Sequence, residues 1–147
     1  MAIVKGCLLP DDRLYHVPEM VWYQPLPGGA YRLGGTMVAV GMAGNIVAAT
    51  PKRADRRLEV GQACAVIESG KLVSAAKVAF AGIVEDSNED QMENPGWLNE
   101  DMYGRGWFIV LRPDDPVAAR ALLLSADEAV EPFLAAMAAE EFDGCGC

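Results

Sequence analysis

A mainly β fold is predicted by the pattern of this 147-residue chain. Short apolar runs recur from Met20 to Arg112, and breaks rich in Gly, Pro, Asn and Asp separate them. Helical patterning begins only beyond Asp115. Many short strands followed by a few helices describe a small antiparallel sandwich with short C-terminal helices.

The elements follow in order. Residues 1 to 13 read as an N-terminal leader around Cys7, residues 14 to 141 as one domain, and residues 142 to 147 as a flexible Cys-containing tail. Met20 to Gln24 and Ala30 to Leu33 flank the turn-rich Pro25-Leu26-Pro27-Gly28-Gly29 and form a hairpin. Thr36 to Ala43 has strand-favouring Val38 and Val40, while Gly34, Gly35 and Gly41 weaken a helix; the segment reads as a short helix or a loop. Strands are expected at Asn45 to Thr50, near Glu59, at Ala63 to Ser69, Lys71 to Lys77, Gly82 to Ser87 and Gly106 to Arg112. A helical turn fits Glu89 to Met92. Asp115 is an N-cap with Pro116 at the first helical position, and that helix runs on through Arg120 to Leu124. Ser125 and Glu128 have capping-box spacing. Pro132 should kink or split the helix they start, because it lacks an N–H and its ring meets the Glu128 carbonyl.

Composition narrows the function. Hydrophobic residues make up 52% and charged residues 22%, as in globular domains with a core of their own. No apolar run reaches the roughly 20 residues of a membrane helix, and the first residues do not read as a signal peptide. A cytoplasmic monomer that binds neither membrane nor nucleic acid is expected, the last because a net charge of −9 repels phosphates. Glu85, Asp86, Glu89, Asp90, Glu93, Glu100 and Asp101 form either a solvated face or a surface that steers a basic partner. The one histidine, His16, cannot build a metal cluster alone. No Ser–His–Asp arrangement, phosphate loop or dinucleotide fingerprint is present. The chain reads as a non-enzyme with no metal site.

The most informative segment is Cys64-Ala65-Val66-Ile67-Glu68-Ser69-Gly70-Lys71-Leu72-Val73. Ala63 to Ile67 reads as a strand buried on both faces, and Leu72 to Ala76 as its return strand. The hairpin would carry Lys71 at its tip. Of four lysines, only this one has such a setting. By spacing alone, the reading of Lys71 as a solvated turn residue is favoured, because Gly-Lys turns are common. Gly70 would permit positive φ at the tip.

These residues resemble the lipoylation site of the glycine cleavage H-protein family. Ala43-Gly44-Asn45-Ile46-Val47 is similar to the family's Leu-Gly-Asp-x-Val. Ala81-Gly82-Ile83-Val84 and Asn88 are similar to its Ser-Gly-x-Ile/Val and Asn. Asn94-Pro95, Leu98-Asn99, Tyr103 and Gly106-Trp107 are similar to its Asn-Pro-x-Leu-x-Asn and Tyr-x-x-Gly-Trp. The likeness spans roughly residues 13 to 134. It implies a lipoyl-domain-like flattened hybrid barrel-sandwich, a short helix near Thr36 to Ala43, and covalent lipoate on Lys71. It also implies Glu68 as a recognition residue for the lipoylating enzyme, whether a lipoate-protein ligase or a lipoyl synthase system, and a dihydrolipoamide dehydrogenase as redox partner. Biotin carriers place Met on both sides of their lysine; Gly70 and Leu72 stand here.

The likeness has gaps. The family's His-Glu-Trp is Met20-Val21-Trp22, and Leu72-Val73-Ser74-Ala75 replaces its more polar sequence after the lysine. Cys7, Cys145 and Cys147 are added thiols outside the matched body, expected to be free and open to redox chemistry, whereas Cys64 reads as a buried hydrophobe. Together these point to the branch of lipoate-binding proteins that serve heterodisulfide-reductase-like complexes in bacterial sulfur oxidation. An aminomethyl carrier in glycine cleavage and an unmodified scaffold are the alternatives.

Overall fold

The computed structural model describes residues 1–146. Its first element corrects the expectation of a leader. β1 (Ala2–Val4) and β2 (Cys7–Leu9) form a two-stranded antiparallel hairpin. Lys5 (φ 47°) and Gly6 (φ 83°) turn it, and two positive-φ residues match the twist of a tight hairpin. Ala2, Val4, Cys7 and Leu9 face inward and are buried. Three-residue strands are too short for alternation to reveal; Lys5-Gly6 was the legible signal.

The body is two facing sheets. The larger has the order β3 (Leu14–His16), β4 (Val21–Pro25), β5 (Tyr31–Gly35), β11 (Ile109–Pro113), β10 (Gly82–Ser87) and β7 (Arg57–Leu58). The smaller has the order β6 (Ile46–Pro51), β8 (Ala63–Ser69) and β9 (Val73–Lys77). The core between them includes Val21, Tyr23, Leu33, Ile46, Ile67, Ile109 and Leu111. All three of Val21, Trp22 and Tyr23 are buried, because β4 is covered on both faces. Val21 and Tyr23 enter the core between the sheets, while Trp22 enters a second one beneath the C-terminal helix. Trp22 lies so close to Gly34 that a Cβ there would stand 2.3 Å from its ring.

Thr36–Ala43 resolves as helix: Thr36 Oγ1 accepts from Ala39 N at 3.2 Å and caps α1 (Met37–Ala43). A 3-10 turn, Glu89–Met92, and α2 (Trp97–Glu100) follow β10. α3 (Pro116–Ala121) is capped by Asp115 as expected, but it stops short of Leu124, whose N–H and C=O pair with Tyr15 instead. α4 (Ala126–Ala139) starts with the Ser125–Glu128 capping box. It runs unsplit through Pro132. Ala129, Phe133 and Met137 are fully buried against the second core, and this packing outweighs the one hydrogen bond Pro132 removes. No described helix is long and apolar enough to cross a membrane.

Candidate functional site

β8 and β9 pair, beyond a register shift between Ala63 and Ala65, up to Glu68 opposite Val73, so Ser69 to Leu72 form a tight turn. Ser69 closes it. Its N–H donates to Leu72 O at 2.9 Å, and its Oγ accepts from Lys71 N at 3.2 Å and from Leu72 N at 3.3 Å. A Ser side chain that satisfies two turn amides replaces water on them and fixes the tip. Lys71, Gly70 and Glu68 are all exposed. The strand leading to the tip is not buried on both faces. Ala65 and Ile67 point inward, whereas Val66 is 38% exposed, because the three-stranded sheet has one open face.

Gly70 corrects a second expectation. It is absent from the positive-φ residues, and a Cβ added to it would meet nothing within 4 Å. The glycine whose conformation matters is Gly44, with φ 85° and ψ −146°, a region closed to other residues without strain. Gly44 forms the floor under the lysine: a Cβ on it would lie 3.4 Å from Lys71 Cε and 3.8 Å from Nζ. Asn99 holds this floor. Its Nδ2 donates to Gly44 O at 2.9 Å and its Oδ1 accepts from Ile46 N at 2.8 Å. The sequence placed Asn99 in a motif but gave it no task; an Asn that bridges two main-chain groups leaves no trace in spacing.

Beside the hairpin lies a recess of about 270 Å³, walled by Val21, Val40, Ile46, Ile67, Leu72 and Phe108. Glu19, half-buried, and Glu140, exposed, are also among its lining residues. Neither was singled out in the sequence. Leu98 also lines this recess. The Tyr103 hydroxyl accepts from Met37 N and donates to Leu8 O at 2.5 Å, so it ties α1 to the first hairpin; burial pushes it up to about 12. Trp97 and Trp107 are half-buried, under Arg105 and Arg32 respectively, and Trp107 packs on the second core.

The thiols differ most from expectation. Cys7 and Cys145 are joined in a disulfide with Cα atoms 5.0 Å apart, so they are not free and the tail is tethered. Cys145 N also donates to Lys5 O at 3.0 Å, and Phe142 packs on the second core. A Gly at 41 makes room: a Cβ there would stand 2.8 Å from Phe142 Cζ. Cys64 is fully buried, and burial pushes its thiol up to about 12. Cys147 lies outside the described residues.

A barrel-sandwich that holds an exposed lysine at a hairpin tip defines the class of prosthetic-group carriers, in which the protein places a cofactor arm rather than catalysing. The family described as "Glycine cleavage H-protein" matches residues 14–135, and the chain belongs to it. It is 38% identical over 135 residues to "Glycine cleavage system H protein 5" of Aquifex aeolicus, covering 89% of this chain and 90% of that protein. It is 30% identical over 125 residues to "Probable glycine cleavage system H protein 2" of Sulfurisphaera tokodaii, covering 84% of each. The crystal structure of a glycine cleavage system H protein from Mycobacterium marinum superposes with TM-score 0.69 at 28% identity, over 82% of this chain and 94% of that one. Proteins of this family are non-enzymatic carriers of lipoate bound covalently to a lysine. The structure fits such a group: Lys71 projects from a rigid turn, and the adjoining recess is apolar enough for an aliphatic arm.

Proposed function

We propose that Lys71 carries the lipoyl group and that the loaded arm carries an aminomethyl group in glycine cleavage. Lipoate supplies a redox-active dithiolane on a flexible tether; the chain supplies everything else. Ser69 keeps the anchor clear of the surface, and Asn99 fixes the floor beneath it. The apolar walls exclude water from the recess. Glu19 and Glu140 give that recess the negative charge an ammonium needs, because an unpaired cation in an apolar site is costly. Glu68, exposed three residues before the lysine, is the contact for a lipoate-protein ligase, and a dihydrolipoamide dehydrogenase reoxidises the arm. The observation that carries the reading is the apolar recess beside the hairpin, with Glu19 and Glu140 in its lining.

Met20 and Val21 in place of the family's His and Glu argued from sequence against an aminomethyl cargo. Glu19 and Glu140 answer that argument, and the relatives' descriptions favour glycine cleavage over sulfur chemistry. The sulfur-oxidation role, with a heterodisulfide-reductase-like complex, is a second reading on one observation, the Cys7–Cys145 disulfide, whose Cys145 lines a recess with Gly44, the glycine next to the Lys71 side chain. Reconstitution decides. Lipoylated protein, verified by intact mass, should support glycine decarboxylation with the partner enzymes, and Glu19→Gln with Glu140→Gln should lower that rate about tenfold. A lipoylated chain that is reduced by dihydrolipoamide dehydrogenase but inert toward glycine would favour the sulfur role. A chain never modified in lipoylating cells would leave only a scaffold.

A further inference from the structure

We infer that the Cys7–Cys145 disulfide is an internal redox partner for the arm on Lys71; this rests on the carrier reading above. A recess of about 350 Å³, which shares Val40 with the apolar one, is lined by Gly41, Gly44, Met102 and Cys145 among others. Gly41 and Gly44 are its two landmarks. A Cβ on Gly41 would lie 3.4 Å from Cys145 Sγ, and one on Gly44 would lie 3.4 Å from Lys71 Cε. The two glycines stand three residues apart at the end of α1, a rise of about 5 Å. An arm that continues from Nζ through several further bonds of about 1.5 Å spans that gap. Neither glycine adds a side chain of its own to the path, and the Phe142 ring borders it at Gly41.

Accessibility selects the sulfur. Cys7 is fully buried, whereas Cys145 is half-buried and lines the recess, so attack falls on Cys145 with Cys7 as leaving group. Cys64 cannot compete, being fully buried with its thiol held protonated. In the net exchange the Cys7–Cys145 bond breaks and the pair is reduced, taking up two electrons and two protons to become two thiols. One S–S bond forms between the two sulfurs of the dihydrolipoyl arm, which is oxidised and gives up the same electrons and protons. Tethering gives the arm a millimolar effective concentration, so at micromolar protein the reaction within one chain outruns that between chains about a thousandfold.

The test uses the full chain with its lipoyl adduct verified by intact mass. It is incubated without oxygen with NADH and a dihydrolipoamide dehydrogenase, quenched in acid, alkylated and peptide-mapped. Cys7 and Cys145 should both become labelled, at a rate that does not change over a tenfold range of protein concentration. The unlipoylated Lys71→Arg chain, shown folded by circular dichroism, should keep the disulfide at least a hundredfold longer. An intact disulfide beside a fully labelled arm, or equal loss in Lys71→Arg, overturns the inference while leaving the carrier reading in place. Absence of the adduct overturns both.

Discussion

At the scale of single residues, the hairpin tip separates modification from stability. Lys71 and Glu68 touch almost nothing buried. Lys71→Arg should therefore abolish the lipoyl adduct, and Glu68→Ala should slow its formation at least fivefold, with the melting temperature unchanged in both; equal modification rates for wild type and Glu68→Ala would remove Glu68 from recognition. The two glycines of the site should behave oppositely. At Gly70 a Cβ meets open space, so Gly70→Ala should be neutral or stabilising by up to about 1 kcal/mol through the unfolded chain. At Gly44 the backbone lies in a glycine-only region, so Gly44→Ala should cost about 1–3 kcal/mol and displace the lysine. Urea titration of the pair checks both signs. The sequence reading chose Gly70 because a tip glycine is a visible signal, whereas the backbone demand at Gly44 is created by α1 ending against β6.

At the scale of elements, local chemistry that resides in neighbouring residues was legible. The hairpins β4–β5 and β8–β9, the Asp115 cap and the Ser125–Glu128 box all follow from turn or capping residues at fixed offsets. Elements whose existence depends on distant partners were not. The β1–β2 hairpin needs α4 to cover it, and α4 survives Pro132 only because Phe133 and Met137 are buried on that hairpin's core. Ser125→Ala should destabilise the protein by about 1 kcal/mol. Its acid dependence has a definite sign. Hydrogen bonds from Ser125, its backbone N–H first, hold the Glu128 carboxyl below its ordinary value. A depressed folded value means the contribution is complete above the ordinary glutamate range of about 4 and is lost as pH falls through the lower folded value. Denaturation midpoints between pH 5 and 2 should fall less steeply in Glu128→Gln than in wild type.

At the scale of the whole molecule, the Cys7–Cys145 bond encloses nearly the entire chain, with a sequence separation of 138 residues. Chain-entropy reasoning assigns such a loop about 5 kcal/mol. The paired variant Cys7→Ala with Cys145→Ala should therefore unfold at a clearly lower urea midpoint, with the slope as the check that the unfolded state has expanded. A midpoint within error of wild type would mean that the second core alone holds the ends. Cys64 turns the same molecule into its own stopwatch. Its sulfur sits with no solvent exposure on β8, the strand that leads to Lys71, and a buried, protonated thiol cannot meet an alkylating reagent until the strand parts from its neighbours. The labelling rate of Cys64, followed by peptide mass while the tip is still folded to the eye of circular dichroism, thus counts the rare openings of the platform beneath the carrier arm, one modified sulfur per opening caught.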